Sequence, residues 1–101
     1  MFIYNITIKA DWQIHAEWLQ WLLNIFIPQI MQTNCFEKKQ LARLHEIEET
    51  DGPTYALQFY AISKAQYNRY MQLHSNSIMQ HAQHVWKDQM LFFSTLMEVI
   101  D

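Results

Sequence analysis

Few side chains in this 101-residue sequence have the types and spacing for chemistry, and five histidines come first. His74, His81 and His84 fall within about 80° of one another around an ideal helix. Imidazoles three or four residues apart on one face can share a metal ion. No carboxylate at helical ligand spacing completes the set, although Asp88 is near, and a break expected at Ser75 and Asn76 would put His74 out of phase. We therefore read a solvated helix face, with His81 and His84 the weak metal candidates and no metal or other cofactor expected. His15 lies toward the polar side of the first helix, one turn before Leu19, and reads as a surface histidine rather than a pocket acid or base. Arg43 and His45 alternate with Leu41 and Ile47 along a strand. Pointing away from the helices, they would line the polar part of a cavity, with Arg43 holding a ligand carboxylate. The simpler reading is an edge strand that uses charge against aggregation. Trp18 and Tyr60 join Arg43 and His45 as ligand-cavity candidates, because an aromatic-lined cavity takes a flat ligand and buried Trp and Tyr still need polar partners.

Composition excludes whole classes of activity. The single glycine, Gly52, rules out the multi-glycine loops that cradle phosphates, and there is no Gly-x-Ser-x-Gly elbow. Cys35 is alone, so neither an internal disulfide nor a thiolate zinc site is available, and a reducing cytoplasm fits best. Seven Lys and Arg against ten Asp and Glu leave a formal charge of −3, which gives no basic field for nucleic acid. The acidic run Glu46, Glu48, Glu49 and Asp51 lacks calcium-loop spacing and reads as a solvated hairpin tip. The opening MFIYNITIK alternates like a strand and is no export signal. The apolar stretch from Trp18 to Met31 is interrupted by Gln20, Asn24, Pro28 and Gln29, short of the roughly 20 apolar residues of a membrane span. A cytoplasmic protein without membrane or nucleic-acid partners is expected.

These residues must be positioned by a regular series of elements. Phe2 to Lys9 alternates as a half-buried strand. Asp11 stands where the N-cap of the first helix belongs. That helix has a polar stripe at Gln13, Glu17, Gln20 and Asn24, and an apolar stripe at Ile14, Trp18, Trp21, Leu22 and Ile25, widened by Leu19 and Leu23. Pro28 predicts an end or kink, with a short second turn starting there and Asn34 as a left-handed cap. A second strand fits Gln40 to Ile47 best, the turn residues Thr50 to Pro53 follow, and Thr54 to Ile62 returns as the third strand. Ser63 and Gln66 form a capping box for the second helix, and Gln89 to Ile100 is the last strand. The order β-α-β-β-α-β with right-handed crossovers gives one α+β domain over residues 1–101, a ferredoxin-like sandwich. Four antiparallel strands form its sheet, two helices lie on one face, and the first and third strands are central.

The last strand conflicts with a solitary molecule. Met90, Phe92 and Leu96 lie on one side, and Leu91, Phe93, Met97 and Val99 on the other. Helices cover only one face, and an edge apolar on both sides would aggregate. Tyr60, Ile62 and Ile3 extend the patch. A homodimer packed sheet against sheet, a dimeric α+β barrel, resolves the conflict. The other reading is a different fold in which the last segment is core.

One family resembles the chain over nearly its whole length. The resemblance rests on MFIYNITIK, Glu17-Trp18-Leu19-x-Trp21, Ile27-Pro28, Thr33-Asn34-Cys35-Phe36, Thr54-Tyr55-Ala56-Leu57-Gln58 and Phe93-Ser94-Thr95-Leu96-Met97-Glu98-Val99. These segments are similar to a small bacterial family defined only as a domain of unknown function, DUF4286. The resemblance implies the dimeric α/β-barrel fold and brings no activity. In the family pattern a histidine precedes Ile-Pro where this chain has Phe26, and a glycine follows the Thr where it has Asn34. Phe26 removes a helix histidine that could act as acid, base or ligand in barrel enzymes of this shape.

Two functions remain. One is a non-catalytic homodimeric module that binds a small molecule or a protein. The alternative is a cofactor-independent dimeric-barrel monooxygenase or isomerase acting on a small aromatic compound. An enclosed cavity holding Arg43, His45 or a Tyr hydroxyl would favour the enzyme, and a side-chain-filled interior would argue against it.

Overall fold

A computed structural model describes all residues from Met1 to Asp101. Alternation sets the sheet. In β1 (Phe2–Ala10), Tyr4, Ile6, Ile8 and Ala10 are buried on one face, and in β3 (Thr54–Ala61) Tyr55, Leu57, Phe59 and Ala61 join them. The two strands pair antiparallel, with Ile6 opposite Leu57 and Tyr4 opposite Phe59. β2 (Lys38–Arg43) pairs with β3, and β4 (Met90–Glu98) pairs with β1. The order β2-β3-β1-β4 makes β1 and β3 central, as a ferredoxin-like α+β fold requires. No helix is long and apolar enough to cross a membrane.

Two helices cover one face, and each contains a π-helical turn. The first runs α1 (His15–Trp21), a π turn over Leu22–Phe26, then α2 (Ile27–Met31). The second runs α3 (Lys64–Tyr70), a π turn over Met71–Ser75, then α4 (Asn76–Trp86). Pro28 therefore does not end the first helix. It lacks the N–H that would reach the carbonyl of Asn24, and its ring would crowd that carbonyl. The wider turn absorbs the misfit: the Ile27 N–H donates to the carbonyl of Leu22, five residues back. The extra residue also shifts the helix phase. Ile25, placed on the buried stripe by α-helical spacing, is exposed, while Phe26 and Ile27 are buried. In the second helix the expected break at Ser75 and Asn76 is likewise a π turn, and the helix continues.

Several boundaries differ from the sequence reading, those of β1 and β3 by a single residue. Asp11 is not the N-cap: its carbonyl accepts from the Ile14 N–H at 3.1 Å, opening a turn, and α1 begins at His15 with no side-chain cap. β2 ends at Arg43 rather than Ile47, because Glu46 takes a positive φ and the following loop is tied to the β1–α1 turn. There the Trp12 indole N–H donates to the carbonyl of Glu49 at 2.8 Å. β4 starts and stops one to two residues inside Gln89–Ile100. Two local readings hold, the capping box only in its Ser63 half, since Gln66 Oε1 has no partner. Ser63 Oγ accepts from the Gln66 N–H, and Asn34 adopts φ 61°, the left-handed cap.

The core lies between the helices and the sheet. Trp18, Leu22, Phe26, Ile30, Tyr70, Ile78 and Ala82 pack on the inner residues of β1 and β3. Tyr4, Phe36, Phe59 and Tyr70 form an aromatic cluster with ring centroids 5.1–6.4 Å apart. Burial pushes the Tyr70 and Tyr4 phenols up.

Candidate functional site

The helix-free face is the surface without cover, and its pattern follows from strand register. One row crosses all four strands as Gln40, Gln58, Asn5 and Thr95. The Gln58 amide donates to Asn5 Oδ1 at 3.2 Å, the Asn5 amide to Thr7 Oγ1 at 3.1 Å, and the Tyr60 hydroxyl lies within reach of Gln58 and Gln40 at 3.4 and 3.3 Å. Lys38 sits 4.4 Å above the Tyr60 ring. Apolar side chains flank this polar row along β4: Leu91 and Phe93 are each 63% exposed, and Met97 and Val99 are also exposed. Ile3, opposite Tyr60 and Met97, adds to that side.

At the Ala10 end of the same face is a trough. Its apolar part, about 250 Å³, is formed by Leu91, Phe92 and Phe93 with Thr7, Thr54 and Lys9. It continues past Lys9 and Leu91 into a more polar hollow of about 400 Å³ between Trp12, Asp11 and Asp51. The Lys9 ammonium is 3.9 Å from Asp51, whose side chain is 76% exposed. Gly52 is required behind it: a Cβ there would stand 1.9 Å from the Ala10 carbonyl oxygen.

The residues singled out from sequence do not come together. Tyr60 is on the open face. Trp18 is on the other side, fully buried, its indole N–H toward Met90 Sδ at 3.2 Å. Arg43 is paired with Tyr55, an inward residue of β3, so it too lies on the helix side. It makes a bidentate ion pair with Glu49 at 2.8 and 3.2 Å and stands 5.8 Å over the Trp12 ring. That pairing raises the Arg43 guanidinium and lowers the Glu49 carboxyl. His45 lies past the end of β2 and is exposed. His81 and His84 are exposed on α4, and no three His, Cys, Asp or Glu side chains are grouped to hold a metal ion.

His15 is not a free surface residue. Its Nε2 is 2.7 Å from the Tyr55 hydroxyl, and its ring stacks on Tyr55 at 8° and lies 5.5 Å from the Trp12 ring. Burial raises the Tyr55 phenol, with Arg43 acting in the opposite sense. The only sequence signals for this pair were the inward parity of Tyr55 and an apolar neighbourhood at Trp12 and Trp18. Lys9 carried no signal beyond its place in an alternating strand.

With this geometry the comparisons agree. Residues 1–100 match the family model "Domain of unknown function (DUF4286)", and the chain belongs to that family. No curated protein matches it. Among solved structures it is similar to an ethyl tert-butyl ether d (ethd) family protein from Bacillus halodurans C-125, with a TM-score of 0.70 and 10% identity over 99% of this chain and 100% of that one. HapK from Hahella chejuensis gives a TM-score of 0.69 at 11% identity, covering 99% and 93%. A dimeric ferredoxin-like protein from an uncultured marine organism gives 0.68 at 8%, covering 99% and 95%. At such identities the likeness is one of fold.

Proposed function

We propose that the protein is a cytosolic, non-catalytic binding module that acts as a homodimer of single-domain protomers, holding a small molecule or a protein partner. The observation that carries this reading is the exposure of Leu91, Phe93, Met97 and Val99 together on the open face. Burying such side chains is worth about 25 cal/mol per Å² of apolar surface, and a second copy offers the same patch in return. The polar row would set the register between the copies, and Tyr60 would lie within the contact. The dimeric ferredoxin-like protein of similar fold lends support. The interior beneath the helices is filled by Trp18, Phe26, Phe59 and Tyr70, which favours binding over catalysis in a helix–sheet cavity.

One observation favours the second reading, a cofactor-independent monooxygenase or isomerase of small aromatic compounds. The His15–Tyr55 hydrogen bond joins an imidazole to a phenol hydroxyl at 2.7 Å, the kind of pairing a proton relay uses. Native mass spectrometry of untagged protein tests the main reading. A doubled mass is expected, and a retained adduct would begin to name the ligand. A monomer at micromolar concentration removes the sheet-to-sheet arrangement.

A further inference from the structure

We infer that the trough beside Lys9 binds a small apolar monocarboxylate, roofed by the second copy. The inference rests on the homodimer proposed above, because an open trough buries too little of a ligand, whereas small-molecule sites enclose most of theirs. The trough has two unlike halves that meet at Lys9 and Leu91. The apolar half offers Leu91 and Phe93 as walls and no carboxylate; its polar groups are Lys9 and the hydroxyls of Thr7 and Thr54. Thr54 is directly across from Lys9 in the ladder, so the two side chains stand side by side in the lining of the apolar half. An acceptor-rich, negatively charged head suits that pair, and an aliphatic or aromatic body suits the walls. A cationic ligand would meet Lys9 with nothing in that half to offset it.

Lys9 is available for this role. It is the only cation of either half. Its contact with Asp51 is long at 3.9 Å, and Asp51 is largely in water. Once the partner roofs the apolar half, a carboxylate there would compete well, since a charge-assisted hydrogen bond gains strength where water is excluded. Leu91 and Phe93 belong both to the trough and to the face the partner would cover. Dimerisation would therefore convert an open hollow into an enclosed one.

The probe is 4-phenylbutyrate, titrated calorimetrically into the full chain, with 4-phenylbutan-1-ol as the neutral control. Native mass spectrometry of the same sample reads the oligomeric state. The expected result is saturable binding of the acid to a dimer, tighter than that of the alcohol. Lys9→Met keeps the apolar stem and should weaken the acid about tenfold or more, while Lys9→Arg restores most of the loss. A dimer that takes the acid no better than the alcohol, or a Lys9→Met dimer that binds it as well as the unaltered chain, overturns the inference and leaves the dimer standing. A monomer overturns both. The preference for acid over alcohol is read on the unaltered protein, so the test survives a variant that fails to fold.

Discussion

On the helix-covered face, Tyr4, Ile6, Ile8, Leu57 and Phe59 are each no more than 2% exposed. On the open face, the polar row of Gln40, Gln58, Asn5 and Thr95 runs beside a largely exposed Leu91 and Phe93. The same four strands make both faces, so propensity does not separate them. The inward residues from Tyr4 to Ala10 and from Tyr55 to Ala61 share one core with the helices, and the outward residues of the same strands are not part of it. The covered face accounts for the stability of one chain. The open face would gain stability from a covering layer, which is what the proposed dimer supplies.

The contrast can be broken most forcefully from the covered side. Phe59→Ala should cost about 3–5 kcal/mol of folding free energy, the range for deleting a buried aromatic ring, read as a lowered urea midpoint at unchanged slope. A loss below about 1 kcal/mol would mean the core is looser than its burial implies. On the open side, Phe93→Asp should barely alter protomer unfolding. It should weaken self-association by about 2 kcal/mol or more, roughly 30-fold in Kd, measured by sedimentation equilibrium. The reverse pattern would make Phe93 a core residue and end the contrast. Tyr60→Phe removes a hydroxyl shared between the exposed Gln40 amide and the half-buried Gln58 amide and should cost less than about 1 kcal/mol in either measurement.

The smallest effect concerns pH. Hydrogen bonding from Arg43 holds the Glu49 carboxyl below its ordinary range. A folded-state pKa below the unfolded one contributes stability that is present above the unfolded value and lost as pH falls through the folded value. The pair is exposed, so the contribution is slight. A carboxyl-detected NMR titration should show the Glu49 midpoint move up toward the ordinary range in Arg43→Gln. An unmoved midpoint would sever the tie between the hairpin loop and β2.

The fold was largely legible in the residues. Alternation in Phe2–Ala10 and Thr54–Ala61 determined which side chains face the helices, and two-sided apolarity in Met90–Val99 exposed the incomplete face. The helix phase after Trp21 was not legible. Apolar spacing assumes 3.6 residues per turn, and Leu23, Ile25, Phe26 and Ile27 are all apolar, so nothing in their types marks which two turn inward once the turn widens. The strand reading failed past Arg43 because Glu46 takes a positive φ and the Glu49 carbonyl is held by Trp12, a contact across 37 positions. The site was least legible. His15 and Tyr55 are 40 residues apart, and Lys9 meets Thr54 and Leu91 only through pairing in the sheet.

The two π turns also bear on what lengths of chain the fold tolerates. Each holds one residue more than an α-helical path over the same rise. Deleting a residue elsewhere in either helix would rotate everything beyond it by about 100° and turn the buried stripe outward. Deleting one inside Met71–Ser75 would close the wide turn and keep Ile78 and Ala82 facing the sheet. The same deletion inside Leu22–Phe26 would also keep the phase, but it would press the Pro28 ring against a carbonyl four residues back. Single-residue shortening is thus expected to be borne by the second helix and resisted by the first.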